Sequence, residues 1–379
     1  MKIWRERTMD AREEAERGVV RVAEIDEVLR CGLRAASGGN MQPWRISRRS
    51  ENRVELSVDL GRSTTLIDAG RWASVFALGS FVENVLVAAE HLGLVVEIAR
   101  SDTSSPEAVR IEVIFVGRRE RAGAHPLFDA ISTRETNRGP HAGADISDSD
   151  VSDLSRVVRD AFTNHRLFVA RDSTSLETLS SVLAASDRIR MKHRRFHDEM
   201  MHEVRWSVPE VEGTSDGIDF RSLGLSTPEL LGIRALRRFW VARHLMPAKV
   251  IEEGSRRLLK KTPLIGVVAA AAAGGGPLSV EDFLDLGQTV QRVWLNIEAR
   301  GQALQPWTTL PFMVMRVRHL RGEGLRPGEA KEILALDERL RASLGMSPEF
   351  TPVFIFRWFR AARQRVKSTR RSLDALLEE

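Results

Sequence analysis

The sequence predicts an α+β protein built from two related copies of one fold. Two observations carry this. Residues 70–94 and 280–300 are long, largely apolar helical runs, each bracketed by short strand-like segments. The runs also match each other. Laying 78–94 over 286–302 puts Leu78-Gly79 on Leu286-Gly287, Val82 on Val290, Val85 on Val293 and Gly93 on Gly301. Apolar helices resemble one another easily, so the shared Leu-Gly entry and glycine exit at one spacing are what point to a duplication.

In order, residues 1–24 read as a charged, helix-prone leader. Residues 25–36 form an amphipathic helix with Ile25, Val28, Leu29 and Leu33 on one face, ending at Ser37-Gly38-Gly39. Val54 to Val58 alternates as a strand. The apolar helix 70–94 stops at Gly93, and Val109 to Val116 is a strand with Val109, Ile111, Val113 and Phe115 on one face. The second copy repeats the plan: a helix over 147–160, strands at Arg166 to Ala170, 262–273 and Val353 to Phe356, and the helix 280–300. A basic run from Arg357 to Arg371 closes it. The copies divide as 25–125 and 126–379. The second carries an insertion at about 186–257, rich in Arg, His, Met and Trp, in which 208–217 has the Gly, Pro and Ser composition of a mobile loop.

The 379 residues carry 57 basic and 52 acidic side chains, largely interspersed, for a net charge of +5. That distribution describes a solvated surface rather than a nucleic-acid footprint. One cysteine, Cys31, excludes an intrachain disulfide framework and fits a reducing compartment. No signal peptide is visible, and the longest apolar run, Leu264 to Ala273, is far below the roughly 20 residues of a membrane span. The expectation is a cytoplasmic protein without a membrane or nucleic-acid partner.

The chemistry is concentrated in two segments. Residues 36–44 read Ala-Ser-Gly-Gly-Asn-Met-Gln-Pro-Trp, a small-residue turn carrying Asn40 and Gln42. Residues 133–138 read Thr-Arg-Glu-Thr-Asn-Arg, which sets the guanidinium groups of Arg134 and Arg138 beside the Thr136 hydroxyl. Arginine forks match phosphate and ring oxygens bidentately. A turn of small residues lets a ring approach the backbone.

These segments resemble the nitroreductase family of FMN-dependent oxidoreductases, which carries an Arg-x-Ser-x-Arg/Lys motif, a helix, and then a Ser-x-x-Asn-x-Gln-Pro-Trp turn. Here the turn precedes the arginine motif. That inversion looks like the tandem, single-chain (Acg-like) branch, in which two degenerate copies form an intrachain pseudo-dimer. In the ordinary family each flavin lies between two subunits, with the arginine motif and a basic C-terminal segment from one and the turn from the other. In this chain the first copy keeps the turn and lacks the arginine motif. The second keeps the motif, and after its helix reads Arg159-Asp160-Ala161-Phe162-Thr163-Asn164-His165, with no Gln-Pro-Trp. The surviving halves make one cup.

The resemblance therefore implies one FMN held by Ser37, Asn40 and Gln42 from the first copy and by Arg134, Thr136 and Arg138 from the second. Lys367, Arg370 and Arg371 stand where the family places a basic pair on the phosphate. Residues 305–309 stand where a backbone N–H meets flavin N5; Pro306 has none, which leaves Trp307 and Thr308. NAD(P)H is the implied donor, a small organic molecule the acceptor, and the insertion a lid. No general acid stands out. The oligomer is either a monomer acting as its own pseudo-dimer or a homodimer. The alternative function is a non-catalytic protein that sequesters flavin under a closed lid.

Other signals read as structure. His193 and His197, four apart, could share a metal, but Lys192, Arg194 and Arg195 repel a cation, so they are expected on a polar helix surface. Gly274-Gly275-Gly276-Pro277 lacks phosphate-loop spacing. Phe356, Trp358 and Phe359 among basic residues fit core packing better than a grip on single strands.

Overall fold

The computed structural model describes residues 20–62, 65–119, 123–238, 248–272, 275–364 and 366–378. Most of the proposed leader therefore lies outside the described residues.

Two sheets flank a central pair of helices. The first half supplies α1 (Val22–Leu33), β1 (Trp44–Ser50), β2 (Arg53–Val58), α2 (Trp72–His91), β3 (Leu94–Asp102) and β4 (Arg110–Arg118). Then come α3 (Phe128–Thr133), α4 (Asp148–Ala161), β5 (His165–Ala170), α5 (Ser173–Lys192), α6 (Arg194–Glu203), β6 (Val204–Arg205), α7 (Val208–Thr214), β7 (Ile218–Asp219), α8 (Thr227–Arg238) and α9 (Ala248–Lys260). The chain closes with β8 (Leu264–Ala271), α10 (Val280–Ala299), β9 (Ala303–Pro306), α11 (Thr309–His319), α12 (Pro327–Ser343), β10 (Phe350–Phe359) and β11 (Leu377–Glu378). The first sheet runs β11-β1-β2-β4-β3, antiparallel except where β11 lies parallel to β1. The second runs β5-β8-β10-β9, all antiparallel. The tail thus leaves the second sheet and completes the first, pairing Leu377 with Ile46.

Burial explains the patterns. In α1, Ile25, Val28, Leu29 and Leu33 are all buried. The unbroken apolar run of β8 is buried on both faces. Leu264, Val268 and Ala270 join the cluster around α2 and α10, while Ile265, Val267 and Ala269 join a second cluster beneath α5, α11 and α12. In β10, Phe354, Phe356 and Trp358 face the first cluster and Ile355 the second, so this strand extends over ten residues rather than the four expected from its apolar centre. Strands β1 and β3 were not foreseen. Arg45, Arg48 and Arg49 mask the alternation of β1, and β3 follows the apolar helix without a break in composition.

The helices α2 and α10 cross in near contact, and the crossing is reciprocal. A Cβ on Gly79 would lie 2.1 Å from the Leu284 carbonyl oxygen; one on Gly287 would lie 2.0 Å from that of Phe76. Further along, the guanidinium of Arg292 meets the buried carboxylate of Glu83 at 2.6 Å, and Gln291 donates to Asn84 at 2.8 Å. Both sets of contacts exchange partners under the register of the sequence repeat.

Two structural expectations are corrected. Of residues 208–217, the first seven form the helix α7 and only 215–217 are irregular. Ser207 caps α7 by accepting from the Glu210 N–H, Pro209 fits the first turn, and the Glu210 carboxylate accepts from Trp206 N–H. His193 and His197 are buried, not on a polar surface; His193 caps α6, and its Nε2 lies 2.9 Å from the Gly324 carbonyl oxygen.

Alanine at Gly287 should destabilise the fold by about 1–3 kcal/mol or more, because the clash is with backbone and no rotamer relieves it. Alanine at Gly254, in α9 with open space around it, should be neutral or stabilise by about 0.5–1 kcal/mol. Urea unfolding of the two variants checks the contrast.

Candidate functional site

The turn after α1 is tightly folded. Gly39, Asn40 and Gln42 all have positive φ, at 57°, 56° and 51°. Two of these are not glycine, which costs free energy that neighbours must offset. Ser37 Oγ accepts from the Gln42 N–H at 3.1 Å. The Asn40 amide donates to the Gly217 and Thr369 carbonyls at 3.0 and 3.1 Å. The Gln42 amide donates to the Ser215 carbonyl at 2.9 Å and accepts from the Arg371 N–H at 3.0 Å. From below, Gln291 of α10 accepts from the Ala36 N–H, so the turn is fixed to the helix crossing.

The arginine segment leaves α3 and runs past the C-terminal end of α1. Arg134 donates to the Arg34 carbonyl at 2.8 Å and lies over the Trp294 ring at 4.6 Å. From the tail, Arg370 donates to Leu33 at 3.0 Å and reaches the Arg34 and Ala35 carbonyls at 3.4 and 3.3 Å. These carbonyls form the negative end of α1, a natural seat for cations. Arg138 donates to the Ser222 carbonyl at 3.2 Å.

Together these groups line one cavity, whose atom-free space out to its open mouth is about 1020 Å³. Its lining carries three cations, Arg134, Arg138 and Arg370, and one carboxylate, Glu135, whose Oε2 is buried without a hydrogen-bond partner. It also carries four aromatic rings, Phe76, Trp294, Phe312 and Phe354, of which Trp294 packs against Arg134. Burial pushes Arg134 and Arg138 down to about 10, and holds Arg370 well below the ordinary guanidinium range. Among the described residues none of the three has a carboxylate within ion-pairing distance, and Arg134 Nε has no hydrogen-bond partner. Buried, unpaired charge is costly, and an anion in the cavity offsets that cost.

Of the residues expected from the sequence, Ser37, Asn40, Arg134, Thr136, Arg138, Thr308 and Arg370 line this cavity. Four do not. Gln42 is fully buried and spends its amide on Ser215 and Arg371. Arg371 turns its guanidinium to the Ala375 carbonyl. Lys367 is exposed. The Trp307 N–H is taken by the Ile355 carbonyl at 2.7 Å, continuing the β9–β10 pairing, so the next backbone donor toward the cavity is Thr308. Sequence reasoning missed the aromatic rings. Trp294 was the available signal, a bulky residue that stands opposite Leu86 in the repeat.

No family model matches the sequence. It is similar to an uncharacterized protein of Mycobacterium tuberculosis (strain CDC 1551 / Oshkosh), MT1398, at 28% identity over 355 residues, 93% of this chain and 48% of that one. The chain thus spans about half the length of this curated relative. Among solved structures it is similar to the FMN and NADPH-dependent nitroreductase NfnB from sphigopyxis sp. strain HMH, with 14% identity, 67% of this chain and 98% of that one covered, and a TM-score of 0.38. A nitroreductase with bound FMN from Desulfitobacterium hafniense DCB-2 gives 13% identity, 66% and 94% coverage, and a TM-score of 0.34. A third, from Bacteroides fragilis NCTC 9343, also with bound FMN, gives 10%, 65% and 93%, and 0.33.

If the three guanidinium groups lack an anion, inorganic phosphate should raise the melting temperature of the ligand-free protein. General salting effects act on any variant. The rise should therefore be larger in the wild type than in Arg134→Ala, and a thermal melt series over phosphate concentration measures the difference.

Proposed function

We propose that this chain is an FMN-dependent oxidoreductase of the nitroreductase type, moving hydride between NAD(P)H and a small organic acceptor. One observation carries the reading: the buried Arg134 and the half-buried Arg138 and Arg370, none with a carboxylate within ion-pairing distance, line a single cavity together with four aromatic rings. A ligand that suits both the rings and the cations is flat and aromatic in one part and anionic in another, as FMN is. The residues present fit it. Arg134 and Arg370 would take the phosphate, Arg138 and Thr136 the pyrimidine edge or ribityl oxygens, and the Thr308 backbone the ring. Bound FMN would supply the two-electron chemistry. The chain's part is to bind, orient and exclude water, and positive charge near the ring would favour a reduced, anionic flavin. A small, aromatic or quinone-like acceptor is the substrate class that such a cavity suits.

We also read the chain as an intrachain pseudo-dimer, with copies at 25–125 and 126–379 and an insertion at about 186–257 acting as a lid. The reciprocal crossing of α2 and α10 supports this reading. A second function, flavin sequestration without turnover, draws support from the segment 215–222, which bonds to both Asn40 and Arg138 at the cavity's edge.

Purified protein should carry about one FMN per chain, measured by releasing the flavin and quantifying it against protein; a ratio near two contradicts the single cup. Anaerobic NAD(P)H should bleach the flavin band, whereas a band that persists favours sequestration. Arg134→Ala should lower FMN affinity by one to two decades, since a hydrogen bond to a charged group contributes roughly 1.5–3 kcal/mol. Fluorescence titration measures this, with circular dichroism to confirm the fold.

A further inference from the structure

The segment 215–222 is bound on both sides of the cavity. Its carbonyls at Ser215, Gly217 and Ser222 accept from Gln42, Asn40 and Arg138, and the Gly217 N–H donates to the Asn40 carbonyl at 3.2 Å. Asn40 and Arg138 line the cavity, as do Gly217 and Ser222, so this strap lies at the cavity's edge. What holds the strap is a buried carboxylate outside the cavity. Asp216 sits between two guanidinium groups: Arg62 donates to Oδ2 at 2.8 and 2.9 Å, and Arg205 donates to Oδ1 at 3.0 and 2.5 Å. Its side chain is 7% exposed. Arg62 comes from the loop after β2, and also donates to the Met41 carbonyl beside Asn40. The clamp therefore joins the first half of the chain to the insertion.

We infer that Arg62 and Asp216 form a latch that sets the rate at which ligand enters and leaves the cavity, without touching the ligand. The inference rests on the flavin reading above for the identity of that ligand. Opening requires Asp216 to leave one guanidinium while remaining desolvated, a costly separation for a buried pair. The bonds to Asn40, Gln42 and Arg138 release with it. A latch that opens for both entry and exit acts on both rate constants alike and leaves affinity nearly unchanged.

The test measures FMN association by stopped-flow fluorescence and dissociation by dilution, in wild type, Arg62→Ala and Arg62→Lys. Hydrogen exchange of residues 215–224 is followed in the ligand-free proteins. In Arg62→Ala both rate constants should rise by about tenfold or more, with the dissociation constant changing far less, because one of two charge-assisted contacts to Asp216 is gone. Lysine keeps the charge but not the fork, and should fall between. Exchange at 215–224 should quicken in step. Unchanged rates with faster exchange overturn the latch as a gate. Weakened affinity with an unchanged association rate makes Arg62 part of the binding surface and overturns it too. If the wild type takes up no FMN, the proposed cofactor is wrong; the exchange data then still decide whether Arg62 holds the strap, and unchanged exchange ends the inference.

Discussion

The fold depends on the crossing of α2 and α10 at Gly79 and Gly287. Each glycine lets the other helix's carbonyl approach to a distance no side chain allows. That proximity sets everything above it. Gln291 and Asn84 can bond only because the axes are close, and that pair reaches Ala36 on one side and the Cys31 carbonyl on the other. The end of α1 and the turn after it are thereby fixed over α10. Trp294, one helical turn beyond Gln291, then becomes the wall on which Arg134 rests. A backbone contact in the core thus dictates which aromatic ring stands opposite which guanidinium.

Electrostatics explains why the site is built around the end of a helix. Burial pushes all three cavity arginines toward neutrality, and Arg134 and Arg370 are pushed further by the charges of neighbouring arginines. The carbonyls of Leu33, Arg34 and Ala35 partly compensate by accepting from Arg134 and Arg370. Carbonyl dipoles are weaker than a carboxylate, so the arginines keep their capacity for an anion. Elsewhere several buried carboxylates hold arginines directly. Asp337 lies between Arg318 and Arg341, and Glu83 takes both arms of Arg292. Arg357 and Arg316 are buried on carbonyl, hydroxyl and amide acceptors alone, and what sets the cavity apart is that its arginines line an open space.

Much of this was legible in the sequence. The helix face of Ile25, Val28, Leu29 and Leu33, the two long helices, and the meeting of residues 37–40 with 134–138 all follow from periodicity and the split motif. Three things were not. The strand β1 was hidden because Arg45 and Arg49 on its outward face and Arg48 on the other interrupt the apolar alternation begun by Trp44 and Ile46. The α7 helix was hidden by Pro209 and Gly213, although Ser207 and Glu210 carried the capping signal. Gln42 was assigned to the ligand because a motif records which residue types recur, not which atoms they spend. Its amide ties the strap and the tail together, so it shapes the site without lining it.

The same symmetry has a counterpart with a different character. Under the repeat Trp294, which lines the first cavity, exchanges with Leu86, which lines a second. There the cations are spent: Arg292 pairs with Glu83, Arg300 with Asp150 and Asp153, and Arg119 with Glu90. An anion entering that cavity would have to compete with carboxylates already in place, and no aromatic face replaces Trp294. The two cavities share a frame and differ in charge pairing. What distinguishes the first is its aromatic lining together with cations that have no carboxylate within ion-pairing distance.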